Sequence, residues 1–410
     1  MPTLLVIGYV WPEPSSSAAG RHMMSLLRFF KRQHWQVVFA SPAKTTDFML
    51  DLSQEDIESV AIELNSSSFN RYIERLQPTA VMFDRFMMEE QFGWRVAESC
   101  PNAIRILDTE DLQCLRQARH QAVKQQRPLR QSDFNSELAL REIAAIFRSD
   151  LSLIISSYEH RLLQQQFNVD ESLLLHCPFL IDPLVPIAES LPYGERQHFV
   201  AIGNFRHAPN WDSVLYLKRI WPEIRKQLPN AELHIYGAYT PPKATALHDA
   251  NMGFLIKDRA DDATEVIANA RVLLAPLRFG AGIKGKLFDA MLTRTPSVTT
   301  DIGAEGMTIE PMAWPGAISE GDEAFVEDAV NLYSNELLWH QAQQNIAPIL
   351  STLFNAESIE ARLQHRMDYL LTHLNEHRQG NFIGAMLQHH SMKSTEFMSR
   401  WIEAKSRSAE

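Results

Sequence analysis

Short apolar runs alternate with stretches of helical spacing along most of this chain. Thr3-Leu-Leu-Val-Ile-Gly8 reads as a buried strand, residues 20–32 as a helix with Met24, Leu27 and Phe30 on one side, and residues 35–41 as the next strand. Strand, loop, helix, strand is the opening of a doubly wound α/β domain, because parallel strands need a crossover helix. The pattern repeats with strands predicted at 80–83, 105–107 and 151–155, and helices at 89–98, 136–147 and 159–166. Residues 119–132 are rich in Gln, Arg and Lys with few apolar anchors, which predicts an exposed loop or mobile helix. Such a segment is solvated, or serves as a basic arm toward an acidic acceptor or a membrane surface.

Pro178, Pro183, Pro186 and Pro192 interrupt regular structure and suit an interdomain linker. A second βα series then begins, with strands predicted at 200–202, 232–236, 272–275 and 297–299, and helices at 211–227, 261–269 and 286–292. From residue 323 onward the spacing is mostly helical. The tail from Asn381 carries Met386, Leu387, Met392, Met398 and Trp401 among polar residues, an amphipathic pattern suited to core docking or subunit contact, with a membrane-surface helix as the minor reading. The expected organisation is a Rossmann-like domain over 1–185, a second over 193–354, and a helical extension over 355–410 that partly packs back on the first domain.

A chain of 410 residues accommodates two ordinary cores. The net charge of −11 argues against a nucleic-acid surface as the main business. Cys100, Cys114 and Cys177 are too widely spaced for a disulfide framework or metal knuckle, and read as free thiols of a reducing compartment. The N-terminus shows no basic region ahead of its short apolar run, and no window approaches the roughly 18 apolar residues of a membrane span. A cytoplasmic protein is expected, with peripheral membrane contact left open.

The richest chemistry lies in Ala275-Pro-Leu-Arg-Phe-Gly-Ala-Gly-Ile-Lys-Gly-Lys-Leu-Phe-Asp-Ala-Met291. A buried strand, a glycine loop with Arg278, Lys284 and Lys286, and a helix start form an arrangement that holds phosphate through backbone N–H groups, the helix dipole and lysine charge. Asp289, one turn into the helix, is placed to accept hydrogen bonds from a sugar hydroxyl.

Its flanks extend the pattern: Ile202-Gly-Asn-Phe-Arg-His-Ala-Pro-Asn210, Trp221-Pro222, Pro229-Asn-Ala-Glu-Leu-His-Ile-Tyr-Gly237 and Pro296-Ser-Val-Thr-Thr-Asp-Ile-Gly-Ala-Glu-Gly306. Over residues 199–307 the chain resembles the nucleotide-sugar-binding half of GT-B glycosyltransferases of the retaining family 4 group. The resemblance implies two Rossmann-like domains facing a central cleft, and a nucleotide-diphosphate sugar as co-substrate without a separate cofactor or metal. It implies donor-phosphate contacts from Arg206, Lys284 and the backbone of Gly282, Ile283 and Gly285. Arginine suits diphosphate because its fork meets two oxygens together. Asp289 takes the position of a family glutamate that holds the ribose, and Gly303 or Glu305 would touch the donor sugar. Gly20, Asn204 and His207 would line the cleft, with His207 positioning or bonding a helix start. Two departures stand out: Ala281 occupies the place of the family's first glutamate, and Asp258 that of a glycine beside the base.

In the N-terminal half, Leu107-Asp-Thr-Glu-Asp-Leu112 matches the segment where the family places a cleft histidine, so Asp108, Glu110 and Asp111 are the candidate catalytic groups. They would bond the sugar, orient the acceptor or face oxocarbenium-like charge, and their mutual repulsion should raise at least one pKa. The alternative is a capped helix start at Asp108 or Thr109. The resemblance implies transfer of sugar to a hydroxyl of a glycan, lipid-linked, protein or small-molecule acceptor, with retention. The competing readings are a sugar-nucleotide epimerase and a non-catalytic nucleotide-sugar-binding partner subunit.

Overall fold

The computed structural model describes residues 1–15, 17–46, 48–181 and 191–407. The stretch 182–190, where the linker with Pro183 and Pro186 and the boundary at 185 are predicted, lies outside the described residues. The chain forms two compact units: Met1–Leu115, Arg130–Leu180 and Ala356–Glu410 make the first, and Arg116–Leu129 with Ile181–Asn355 the second.

The first unit holds β1 (Thr3–Ile7), β2 (Gln36–Ser41), β3 (Glu58–Ala61), β4 (Ala80–Asp84), β5 (Ile104–Asp108), β6 (Leu151–Ile154) and β7 (Leu174–His176). They form one parallel sheet in the order β3-β2-β1-β4-β5-β6-β7. Leu4 to Ile7 and Ala80 to Phe83 are fully buried, as expected where helices cover both faces of a parallel sheet. The strand order reverses between β1 and β4, and the crevice outside the carboxyl ends at such a switch point is where open α/β sheets bind ligands. The helix Ala18–Arg32 begins there, capped by Ser17, whose hydroxyl accepts the Gly20 N–H at 3.0 Å. Helix Ala356–Gly380 adds Ile359, Leu363, Met367 and Leu370 to this core. Its Arg378 grips the buried Asp150 carboxylate at 2.8 and 2.7 Å. The amphipathic tail is the helix Phe382–Arg407, which packs on Phe86–Ser99 with Met392 beside Gly93, and on Glu137–Arg148 with Gln388 donating to the Arg148 carbonyl at 3.1 Å, while Met386, Met398 and Trp401 stay exposed.

The second unit holds β8 (Gln197–Ile202), β9 (Leu233–Tyr236), β10 (Phe254–Ile256), β11 (Ala270–Ala275), β12 (Ser297–Thr299) and β13 (Gly316–Ile318). They run parallel in the order β10-β9-β8-β11-β12-β13, around a core that includes Phe199, Trp221, Phe254 and Trp339. Here the order reverses between β8 and β11, so the loops leaving those two strands flank the switch point.

Four short strands of three or four residues each, β3, β7, β10 and β13, were not predicted; all four lie at the edges of sheets whose central strands were read. The segment 119–132 meets expectation only in part. Its first residues continue the helix Gln113–Lys124, with Arg119 and Ala122 buried, whereas residues 124–126, 128 and 130–132 are exposed, as a solvated segment should be. Among the described residues, no helix is long and apolar enough to cross a membrane.

Candidate active site

In the first unit, the register pairs Asp84 with Asp108 at the carboxyl ends of β4 and β5. Two carboxyls that end adjacent buried strands cannot avoid each other. Asp108 is fully buried, and burial first, then Asp84, pushes its pKa up to about 7. Glu110, also buried, is raised well above the usual carboxylate range by burial and then by Asp108. The expected rise is therefore present, but desolvation exceeds like-charge repulsion as its cause. Arg85 follows Asp84, with Nη1 at 3.8 Å from its carboxylate and the guanidinium 5.2 Å from the Tyr9 ring. Burial opposes the Arg85 charge, yet Asp84, Glu110, Asp111 and Asp108 together hold it more firmly protonated than usual.

From the helix Ala18–Arg32, His22 brings its Nε2 to 4.0 Å from the Asp108 carboxylate. Burial lowers its pKa to about 4, so the ring is neutral at pH 7. Neither His22 nitrogen has a hydrogen-bond partner, nor have Asp84 Oδ1 and Asp108 Oδ2. Buried polar atoms are nearly always paired, so four unpaired ones around one point mark a place built to meet something polar. Arg85 and Glu110 adopt φ of 70° and 59°, left-handed conformations that cost side-chain-bearing residues on the order of 1–3 kcal/mol. Asp111, half-buried, completes the group.

The alternative role for this segment, a capped helix start, is not what forms. The helix begins at Gln113, and the N–H groups of Gln113 and Cys114 donate to Glu142 at 2.9 and 2.8 Å. The Thr109 hydroxyl donates instead to the Leu153 carbonyl. His22, Asp84, Arg85 and Tyr9 were missed in the sequence. Asp84 could have been found, because it closes an apolar run at the ligand-binding end of a strand.

In the second unit, the loop after β11 reaches the eight-residue helix Gly285–Leu292. Gly282 has φ of 62°, the left-handed turn that glycine adopts freely. Lys284 stands at the N-cap, and its side chain makes no capping hydrogen bond to this helix start. The Leu287 and Phe288 N–H groups donate to the Lys284 carbonyl at 2.8 and 3.2 Å, so the Gly285 and Lys286 N–H groups are the ones with no acceptor within the helix. The buried Lys284 ammonium donates to the Gly282 carbonyl at 2.6 Å. Lys286 donates to Asn210 Oδ1 at 2.8 Å, and desolvation lowers its pKa to about 8. Asn210 in turn donates to the Asn204 carbonyl at 3.0 Å, which joins this loop to the one leaving β8. Asn204 Oδ1 accepts the Arg206 N–H at 2.8 Å, and the exposed Arg206 guanidinium lies 3.7 Å from the centre of the Tyr239 ring. Asp289 sits one turn into the helix, 9% exposed.

Other expected contacts are placed differently. Glu305 does not offer a free carboxylate to a sugar: both its oxygens accept from Arg119, at 2.6 and 2.8 Å. Arg119 also donates to the Gly280 carbonyl at 2.9 Å, and His120 stacks on Phe279 at 4.3 Å, so this helix braces the glycine loop. The Gly303 N–H is taken by the Thr300 hydroxyl at 3.1 Å, and a Cβ there would stand 1.9 Å from Thr299 Oγ1, so this glycine answers a packing need. His207 does not cap a helix N–H with its side chain; its carbonyl accepts from Asn210 and Trp211. Gly20 packs against the Glu13 backbone, where a Cβ would come within 2.6 Å. Asp258 has φ of 57°, which accounts for the family's glycine at this position, and its carbonyl accepts the Gly237 N–H at 2.8 Å.

The Arg119–Glu305 pair yields a stability prediction. Both side chains are about nine-tenths buried, so Arg119→Ala leaves an uncompensated carboxylate and should cost about 3 kcal/mol in urea unfolding. Adding Glu305→Gln to that variant should recover part of the loss; equal stability of Arg119→Ala and the parent would contradict the brace.

Comparison with known proteins gives a family for part of the chain. Residues 196–335, roughly a third of the whole, match the model described as Glycosyl transferases group 1. The fold resembles sucrose-phosphate synthase from Thermosynechococcus elongatus (TM-score 0.65, 13% identity, 91% of this chain and 100% of that one). It also resembles Anabaena HepE, solved in complex with UDP and glucose (TM-score 0.65, 13% identity, 90% of this chain and 100% of that one). At these identities the likeness is one of fold, the GT-B fold of two Rossmann-like units. An uncharacterized 44.6 kDa protein in the cps region of Klebsiella pneumoniae is 26% identical over 165 residues, 38% of this chain. That match spans only 40% of the Klebsiella protein's length.

Proposed function

We propose that this chain, which carries a glycosyl transferases group 1 domain in a GT-B fold, moves a sugar from a nucleotide-diphosphate donor to an acceptor hydroxyl with retention of configuration. The observation that carries the reading is the helix start at Lys284, fed by the glycine loop and joined through Lys286 and Asn210 to the loop bearing Arg206. Negative charge grows on the diphosphate as it leaves. Fixed ammonium, guanidinium and amide groups at that spot stabilise the transition state more than the ground state. They would supply the charge compensation that a metal supplies in other transferases, so the transfer itself would need none. Asp289 would hold the ribose. Gly303 and Glu305 would act through the loop they support, and Gly20 and His207 through the backbone around them.

The buried group of Asp84, Asp108, Glu110 and His22 is the proposed catalytic face. Asp108 and Glu110, with Asp111, would stabilise oxocarbenium-like charge or orient the acceptor hydroxyl, with the leaving phosphate taking its proton. Neutral His22, 4.0 Å from Asp108, would meet the same polar group as that carboxyl. The acceptor would be a glycan, a lipid-linked sugar, a protein or a small metabolite, met in the cytoplasm.

The test is incubation with a panel of nucleotide sugars and sugar acceptors, with diphosphate release measured and the product's anomeric configuration read by NMR. Acceptor-dependent release with a retained product supports the proposal. Turnover of donor alone would point to an epimerase. Ala281, standing where the family has a glutamate, favours a nucleotide-sugar-binding partner subunit as the second reading; nucleotide binding without turnover would bear that out.

A further inference from the structure

The amino ends of β8 and β9, opposite the loops that carry the proposed transfer, bring together three side chains for which that reading has no use. His198 is the second residue of β8, Glu232 directly precedes β9, and His234 lies within it. The register sets Phe199 beside Leu233 and Val200 beside His234, so His198 comes level with Glu232. With a period of two, all three side chains leave one face of the sheet.

Their donor atoms converge. His234 Nε2 is 2.8 Å from Glu232 Oε2, His198 Nδ1 is 3.8 Å from the same oxygen, and all three lie within 4.8 Å of one another. Zinc bonds of about 2.0–2.1 Å at tetrahedral angles place ligand atoms about 3.3 Å apart, inside this spread. Two further details are not explained by a plain surface network. His198 Nδ1 is buried and has no hydrogen-bond partner. His198 also adopts φ of 61°, uncommon for a residue with a side chain, and its N–H donates to the Tyr333 hydroxyl at 3.2 Å. The two imidazoles stack with centroids 4.5 Å apart. Lys257 and Arg271 bring opposing charge. Arg271, however, is drawn over the Tyr193 and Tyr333 rings at 4.3 and 4.6 Å.

We propose that His198, Glu232 and His234 form a binding site for a borderline divalent transition-metal ion such as zinc, which ties β8 to β9. Two imidazole nitrogens and one carboxylate oxygen suit zinc rather than magnesium or calcium, with water completing the shell. The role is structural, because the three residues lie at the end of the sheet away from the phosphate loops. It stands independently of the transfer reading.

The full chain, stripped with a chelator, is titrated with zinc against a chromophoric competitor, and its melting temperature is followed with and without the ion. One-to-one uptake and a rise in Tm are expected. His198→Ala and His234→Ala should each weaken binding about 100-fold or more and abolish the Tm rise, with Glu232→Gln intermediate and far-UV circular dichroism unchanged. Cobalt(II) should show ligand-field bands in the wild type that both variants lose. Absence of stoichiometric uptake, or uptake unchanged in the His198→Ala/His234→Ala double variant, would overturn the site. The second result would assign binding to other histidines among the fifteen, such as His389 and His390. Nucleotide binding should not respond in either case.

Discussion

Lys284→Ala is expected to lower acceptor-dependent turnover by on the order of 10²–10³-fold, the usual cost of removing one preorganised donor from a site of developing negative charge. The ammonium is buried at a helix start and already donates 2.6 Å to the Gly282 carbonyl. Its loss removes a charge and also slackens the loop. Arg206→Ala separates these effects, because the Arg206 guanidinium is exposed and rests over the Tyr239 ring rather than bracing the loop. A comparable fall in turnover with melting behaviour unchanged would identify charge on the diphosphate as the cause. Full turnover in both variants, with the panel that serves the wild type, would remove the proposed donor site.

The second large effect concerns Asp108→Asn. If Asp108 acts as a carboxylate, transfer should rise as pH climbs through about 7, its pKa in the folded chain, and the variant should lose both the activity and that limb of the profile. Stability should move the opposite way. Because the folded pKa is raised, the stabilising contribution of this group is complete below the unfolded value of about 4 and is lost as pH rises through about 7. Asparagine carries no such penalty. The variant should therefore match the parent below about pH 4, draw ahead as pH rises, and exceed it at pH 8 by about 1–4 kcal/mol, since each tenfold change in an ionisation constant is worth about 1.4 kcal/mol. Arg85, 3.8 Å from Asp84, already tempers the rise in the Asp108 pKa. An Asn variant less stable than the parent at pH 8 would mean that Asp108 is ionised and well paired, contrary to the cluster described.

Both predictions rest on placements that the sequence shows unequally. The sheets were legible because strands such as Leu4 to Ile7 are buried on both faces and so read as unbroken apolar runs. The phosphate loop was legible because its parts are contiguous: strand, glycines, lysines and helix follow one another without a break between Ala275 and Met291. The acidic cluster was half legible. Asp108, Glu110 and Asp111 are neighbours in sequence, whereas Asp84 joins them through strand register and His22 through the packing of a helix far upstream. Arg119 was read as solvated because its partner Glu305 lies 186 positions away, and nothing local announces a bidentate pair at that range. Glu305 was misread for the same reason, whereas Gly303 answers its near neighbours Thr299 and Thr300. Short polar elements such as Glu58–Ala61 owe their strand form to a neighbour, here β2, rather than to their own composition.

The most direct test of the central claim is calorimetric titration of uridine, guanosine, adenosine, cytidine and thymidine diphosphates into the wild type and the Lys284→Ala and Arg206→Ala variants. One diphosphate should bind the wild type, its monophosphate more weakly, and each variant should lose at least about tenfold in affinity, or about 1.4 kcal/mol. A diphosphate bound with equal affinity by all three proteins would contradict the assignment of the glycine loop and its two cations as the diphosphate grip.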